Sequence, residues 1–372
     1  IKLGEMDGFL QTVMFTLFAN QFEEEEENLL LTMFRTVLRE EFKEARSIAD
    51  ALRSNTPLTR MMNTYTRRSP GQQYLKTALT TFLTKLTKTE ECLEVNPVKV
   101  FDQWVIDLEA GQGKAYSGER KPLPEAAAAM PEIQAIIKPR MDKLLSIASE
   151  LVDTLVESLQ AVPYGIRWIC RMTKQLCQER WPDATHAQVC TVVGGFFVLR
   201  YVNPAVATPS AYMIVDAKLS NNVRRNLTLI AKIQQNLANG IQFGDKEFYM
   251  APLNKIFEIC LPKLNAFLDK LTEVDDLEVH SSLDQYIALT KLTDQTISTT
   301  QNEIAFIHSL LVQHKDSVIT EPGDEVDNIL KNLPVAPQQV PRKDNAAIEL
   351  KLVSSKIRSA GPDSTLNKMK PE

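Results

Sequence analysis

The chain has 372 residues, a formal net charge of −5 and only 13 glycines. Its length corresponds to about two or three domains of ordinary size. Glycine stands at roughly half the usual share of about 7%, too little for the strand-to-helix turns and phosphate loops of a doubly wound α/β enzyme. The composition also excludes collagen-like, disordered and small disulfide-stapled classes, and the acidic balance excludes a general nucleic-acid binder, which carries a strongly basic domain. An all-α protein is expected. The five cysteines, Cys92, Cys170, Cys177, Cys190 and Cys260, lack metal-ligand spacing and read as reduced thiols of a cytoplasmic protein, with no zinc site.

The apolar stretch Phe9 to Ala19 has Glu5 and Asp7 before it and a run of glutamates, Glu23 to Glu27, after it. That flanking is wrong for a signal peptide, so an amphipathic helix is expected. No apolar run reaches the roughly 20 residues of a membrane span. The first residue is Ile1, not methionine, which suggests a fragment of something longer. From Asn28 to Ala51, Leu30, Leu31, Phe34, Val37, Leu38 and Phe42 recur at three-and-four spacing, one face of a helix. Leu52-Arg53-Ser54-Asn55 breaks it, and Thr56-Pro57 restarts a helix with an N-cap hydroxyl and a proline at the first helical position. Ser69-Pro70-Gly71 is expected to stop that helix, and another to follow from Gln72 to Lys88.

Glu109 to Pro131, richer in glycine and proline, reads as a mobile connection. Its Gly111-Gln112-Gly113-Lys114 lacks the spacing of a phosphate loop. Helices are expected from Ile133 to Leu159 and after Pro163-Tyr164-Gly165. Thr185 to Val202 is apolar and β-branched enough to resemble a buried strand, but Thr185 with Gln188 forms a capping box, and Val189, Val192, Val193, Phe196 and Phe197 follow the helical period. A helix ending at Asn203-Pro204 is the expectation. Further helices are expected over Asn221 to Ala238, Phe248 to Leu271 and Leu283 to Lys315. Pro334, Pro337 and Pro341 then mark a linker, with a short helical piece from Asn345 to Ile357 in a polar tail. The expected domain spans 1–332, with linker and tail over 333–372.

Arg200 sits in an otherwise apolar stripe, four residues after Phe196 and seven after Val193. Burying an unpaired guanidinium is costly, so it should donate its N–H groups to a carboxylate or to loop carbonyls. Arg53 falls in the break between two helices.

These residues carry a resemblance. Phe197-Val198-Leu199-Arg200-Tyr201-Val202-Asn203-Pro204-Ala205-Val206 resembles the F-L-R-x-x-x-P-A-[IV] signature of Ras GTPase-activating (RasGAP) domains. Leu52-Arg53-Ser54-Asn55-Thr56-Pro57 resembles the loop that presents the arginine finger, with Arg53 at the finger position. Arg225-Asn226-Leu227-Thr228-Leu229-Ile230-Ala231-Lys232, on to Asn239, resembles the third shared block. Within that family Val162 to Arg167, Tyr201 to Pro209 and Arg224 to Leu227 are similar to the GAP-related domain of IQGAP-like proteins. The presence of Arg53, where animal members generally carry threonine, is similar to fungal Ras GAPs of that architecture.

The resemblance implies an elongated all-α fold with a central and an extra helical subdomain, in a cytoplasmic protein recruited to the cell cortex through its GTPase. It implies a partner, a Ras-family small GTPase in the GTP form, whose hydrolysis is accelerated in trans. The chain itself would be no enzyme, and GTP and magnesium would be held by the partner, so no cofactor or metal site is expected. Arg53 would enter the partner's active site and Arg200 would hold the finger loop, while Leu199, Asn203, Pro204, Thr228, Lys232 and Asn239 would face the GTPase. Thr228 stands where some family members carry lysine. Tyr201 in place of the usual phenylalanine is expected to be neutral packing. The rival implication is a non-catalytic scaffold domain that grips Rho-family GTPases.

Overall fold

The computed structural model describes residues 3–18, 24–48, 51, 56–113, 115–216, 218–280, 295–319, 324–333, 335 and 338–352. The chain divides into two compact units, residues 1–30 with 278–372, and residues 31–277. Helices dominate both units, in keeping with the all-α expectation, and the described residues add two short strands.

In the first unit α1 (Leu3–Thr12) runs into a π turn, Val13–Leu17. The Thr16 hydroxyl donates to Glu303 at 2.6 Å. Where a helix is expected, residues Gln295–Thr300 form β1, which pairs antiparallel with β2 (Ala347–Leu352). Thr296, Ile297, Thr299 and Thr300 are β-branched and Ile348, Leu350 and Leu352 alternate with a period of two, which overrides the helical reading. Thr300 then caps the helix Gln301–Gln313 through a capping box with Glu303. The helix Glu325–Asn332 presents Asp327 to Lys315 and Lys331.

The second unit holds the larger core. The helix α2 (Glu24–Glu44) stops short of its expected end, and the unit boundary falls within it. The helix α3 (Pro57–Tyr65) starts as expected, with Thr56 and Thr59 in a reciprocal capping box and Pro57 in the first turn. Ser69-Pro70-Gly71 opens α4 (Ser69–Thr87) directly. A Cβ at Gly71 would lie 2.3 Å from the Thr66 carbonyl oxygen, so only glycine permits that approach.

The helices α5 (Pro97–Gln112), α6 (Pro124–Ala129) and α7 (Pro131–Glu157) follow. The connection expected to be mobile is anchored: the Tyr116 ring packs edge-on against Phe101 and Trp104, and its backbone N–H donates to Glu109 at 2.7 Å. Lys114 lies outside the described residues. The helix α8 (Tyr164–Arg180) precedes the central element, α9 (His186–Phe196), which passes through a π turn (Phe197–Val202) into α10 (Asn203–Ala207).

Asn203-Pro204 therefore does not end the helix. The Asn203 N–H reaches back five residues to the Val198 carbonyl. Pro204 falls in the first turn of the new α segment, where a missing N–H loses no bond. The run His186–Ala207 is long and apolar enough to cross a membrane by length and composition, but 72% of its apolar window is buried inside the protein, as a core helix would be. The chain continues through α11 (Asn221–Asn239), a 3₁₀ segment (Asp245–Asn254) and α12 (Lys255–Leu271).

Polar side chains lock α9 to α11 into this frame. Asn226, fully buried, accepts from the Leu93 N–H at 2.9 Å and donates to the Glu91 carbonyl at 2.8 Å. Gln234 donates to the Ala148 carbonyl at 2.7 Å. Arg225 forks onto Glu94 at 2.6 and 3.0 Å. Burial alone would raise the Glu94 carboxyl, but the Arg225 hydrogen bond, the Asn96 N–H and the charges of Arg225 and Lys99 hold it below its ordinary value. Tyr201 is not neutral packing. It stacks on Tyr74, with 5.8 Å between ring centroids, and its hydroxyl donates to the Gly71 carbonyl at 2.6 Å.

Two outcomes follow for stability. Tyr201→Phe removes a buried hydrogen bond to a carbonyl inside α4 and should cost about 0.5–1.5 kcal/mol, read as a lowered melting temperature; an unchanged melt would return Tyr201 to packing alone. A depressed carboxyl contributes stability above its unfolded value, near 4.5 for Glu94, and loses it as pH falls through the folded value. Glu94→Gln should therefore melt below wild type at pH 7, and the gap should close below about pH 4.5. A gap constant with pH would contradict the ion-pair account.

Candidate functional site

Gln188, Val192 and Gly195 of α9 and Leu199 of the π turn, spaced four, three and four residues apart, share one face, on which Gln188 is exposed, Gly195 and Leu199 are half-buried and Val192 is buried. With Thr191 and Arg200 this face forms the floor of a groove of about 570 Å³. Ile48 and Ala51, which follow α2, form one side, and Gln235, Asn239 and Ile241 the other. The second side is shaped by Gly240, whose φ of +63° closes α11. The Ile241 N–H then bonds the Asn236 carbonyl, the six-to-one bond of a Schellman cap. That turn places Asn239 and Ile241 on the rim, with Ile241 51% exposed.

Arg200 also borders a second hollow of about 260 Å³, lined with Leu199, Asn63, Arg67, Pro204 and Tyr212. Beside it Met213, 64% exposed, holds a φ of +54°, a left-handed backbone that side chains rarely adopt. The π turn is what brings Leu199 and Arg200 to the edge between the two hollows while Phe197, Val198, Tyr201 and Val202 stay buried. An inserted residue in a helical ladder re-aims the side chains around it, and such turns recur at functional sites.

The Arg200 guanidinium is half-buried. Burial pulls its pKa below the ordinary value, and the Glu41 charge opposes that shift. Glu41 lies near the end of α2. Burial raises its carboxyl, the Thr56 hydrogen bond lowers it, the Glu44 charge raises it and the Arg200 charge lowers it. Thr56 also accepts from the Thr59 N–H at 3.4 Å in the α3 cap. One carboxylate thus links the arginine of the central helix to the residue that re-enters described structure after 52–55. The three came from separate parts of the sequence, and nothing in the spacing flagged Glu41.

The structure brings Leu199, Arg200 and Asn239 together at the groove and sets Pro204 in the adjoining hollow. Asn203 is turned inward, donating to the Ala231 carbonyl at 2.8 Å and bracing α10 against α11. Thr228 is exposed on α11, bonded to its own helix at the Arg224 carbonyl, and lines neither hollow. Lys232 is paired with Glu247 of the 3₁₀ segment. Arg53 lies outside the described residues. Gln188, Thr191, Gly195, Gln235 and Ile241 carry no motif that marks them in the sequence, although the spacing of the first three before Arg200 and the Asn239-Gly240 helix end near the other two are signals that could find them.

His186, Cys190 and Asp269 also lie close enough to share an ion. Asp269 is already bonded to Lys174 and to His186, each at 2.7 Å. The cluster ties the start of α9 to α8 and α12.

Residues 33–239 match the family model described as GTPase-activator protein for Ras-like GTPase. The chain is 31% identical over 95% of its length to Ras GTPase-activating-like protein rgaA of Dictyostelium discoideum, of which it covers 43%. It is 28% identical over 88% of its length to Ras GTPase-activating-like protein IQGAP2 of Mus musculus, covering 21% of that protein. With Ras GTPase-activating protein 1 of Rattus norvegicus it shares 30% identity over 54% of its length and 18% of the relative's. The chain thus spans less than half the length of these relatives. Its match to the family model extends from α2 to the rim of the groove, and the chain belongs to the RasGAP family.

Proposed function

We propose that this chain accelerates GTP hydrolysis by a Ras-type small GTPase, seating it over the α9 groove and supplying Arg53 as an arginine finger. The observation that carries the proposal is the frame around residues 52–55. Ala51, two residues before Arg53, lines the groove. Thr56, three residues after it, caps α3 and is bonded to Glu41, which interacts in turn with Arg200. The residues that flank 52–55 thus stand beside the groove and in contact with the Glu41–Arg200 pair, which suits Arg53 to act on a partner bound there.

GTP hydrolysis builds negative charge on the phosphates in its transition state. A positioned cation stabilises that charge without taking or giving a proton. For the Ras pair the established figure for a trans-acting arginine is about 10³–10⁵ in rate, which corresponds to roughly 4–7 kcal/mol. The GTPase keeps the nucleotide, the magnesium and the water-orienting residue, and this chain needs none of its own. Arg200 acts through the finger segment and Glu41 through Arg200 and Thr56. Acting on a membrane-associated GTPase, the protein would work in the cytoplasm at the cell cortex.

Single-turnover phosphate release from a panel of Ras- and Rho-type GTPases tests the proposal. Arg53→Ala should remove at least about 10³ of the stimulation of a Ras-type GTPase and leave its binding in the GTP form within a few-fold. Stimulation within a few-fold of wild type would refute the finger. Tight binding to Rho-type GTPases with no acceleration, and no dependence on Arg53, would identify a non-catalytic grip instead.

Glu41→Gln keeps the shape and removes the charge opposite Arg200. It should lower kcat of the stimulated reaction about tenfold with little change in the affinity for the GTPase, the mark of a positioning residue. Equal losses in affinity and kcat, or neither, would detach Glu41 from the finger segment.

A further inference from the structure

The central helix carries two consecutive glycines, Gly194 and Gly195, in the interior of an α-helix. Glycine is a poor helix former beside alanine, so each position needs a reason. Gly194 has one inside the protein. It is buried, and a Cβ there would sit 3.4 Å from the Leu268 Cδ1 of α12 and 3.6 Å from the Ala238 carbonyl of α11. It lies where three helices converge.

Gly195 has no such reason. Among the described residues, and apart from its chain neighbours and the adjoining backbone of its own helix, no atom lies within 4 Å of the Cβ that any other amino acid would place there. Its φ is not in the left-handed region that favours glycine. It lies on the groove floor between Val192 and Leu199. A side chain would be accepted by the fold and would help the helix, yet the position is bare.

We infer that the bare backbone of α9 at Gly195 is a contact surface, on which the bound Ras-like GTPase packs its own main chain directly against the helix. This rests on the proposed seating of the GTPase over the groove and identifies the point of closest approach within it. A helix without a Cβ at the contact allows the approach, and lets Cα–H groups meet partner carbonyls. Gln188, Thr191, Gln235 and Asn239 around it offer uncharged donors and acceptors to exposed peptide groups. Arg200 is the one charged side chain among the described residues that line the groove. The surface is therefore built to read backbone and shape, not a charged patch.

The test uses the whole chain with Gly195→Ala and Gly195→Leu, measuring thermal melting, affinity for the GTP-loaded GTPase, and the KM and kcat of stimulated hydrolysis. Both variants should melt at or above the wild-type temperature. Alanine should weaken binding about two- to threefold and leucine at least about tenfold, with KM rising in step and kcat at saturation unchanged. A leucine variant that folds, binds and stimulates as wild type would overturn the inference while leaving the groove reading standing. Melting lowered in both variants would also overturn it, by assigning Gly195 an internal role. A fall in kcat with unchanged affinity would give the space to the chain's own 52–55 segment and reject the contact. If the wild-type chain binds no GTPase of the panel, the groove reading fails and this inference falls with it.

Discussion

A guanidinium carried by the long apolar helical run His186–Ala207 is the constraint around which the second unit is arranged. Phe196, Phe197, Val198, Tyr201 and Val202 are all within 1% of complete burial, yet Arg200 stands among them. A charge in a dry core would need several kcal/mol of compensation, and a regular helix would bring Arg200 close to the buried stripe that holds Phe196. The π turn resolves this conflict. It inserts one step into the ladder, so the aromatic residues remain inside while Leu199 and Arg200 emerge at the edge between two hollows. The same step leaves Pro204 without a bond to lose. A proline that would stop an ordinary helix becomes the first turn of α10.

That helix therefore serves as core on one face and as a working wall on the other, and its neighbours are fixed accordingly. Tyr201 pins it to α4 through the Gly71 carbonyl. Asn203 pins it to α11, and the His186–Asp269 contact pins its start to α12. With both ends and the middle held by directional bonds, the groove floor is preorganised. A partner need not spend binding free energy on ordering it.

Much of this was legible in the sequence, for identifiable reasons. Thr56-Pro57 and Thr185 with Gln188 predicted helix starts that the structure reproduces, because caps are local chemistry. Period and proline rules mis-assigned the end of the central helix, because a π turn depends on long-range packing of Phe197 and Tyr201 and not on local propensity. Gln295–Thr300 and Ala347–Leu352 fall within helices expected from the sequence, because each strand is short and needs the other, some fifty residues away, to form. The motif residues fared unequally for a similar reason. Leu199, Arg200 and Asn239 are placed at the groove, whereas Asn203 shares their motif but serves the packing behind it. A linear signature records residues needed to build a site together with residues that line it, and only the fold separates the two.

The distribution of charge gives that separation a functional sense. The basic residues of the third block do not stand ready for a partner: Arg225 is held by Glu94 and Lys232 by Glu247. Their acidic partners come from elsewhere in the same unit, so these cations stabilise the frame. What lines the groove is uncharged, part polar and part apolar, apart from Arg200, and Arg200 interacts with Glu41. In the proposed mechanism recognition then rests on shape and hydrogen bonding, and Arg53 would supply the charge that acts on the phosphates. A groove already lined with cations would stabilise the ground-state phosphates as well as the transition state, which tightens binding without raising the rate. In that proposal a wall whose one charge among the described residues is Arg200 would confine the electrostatic gain to Arg53.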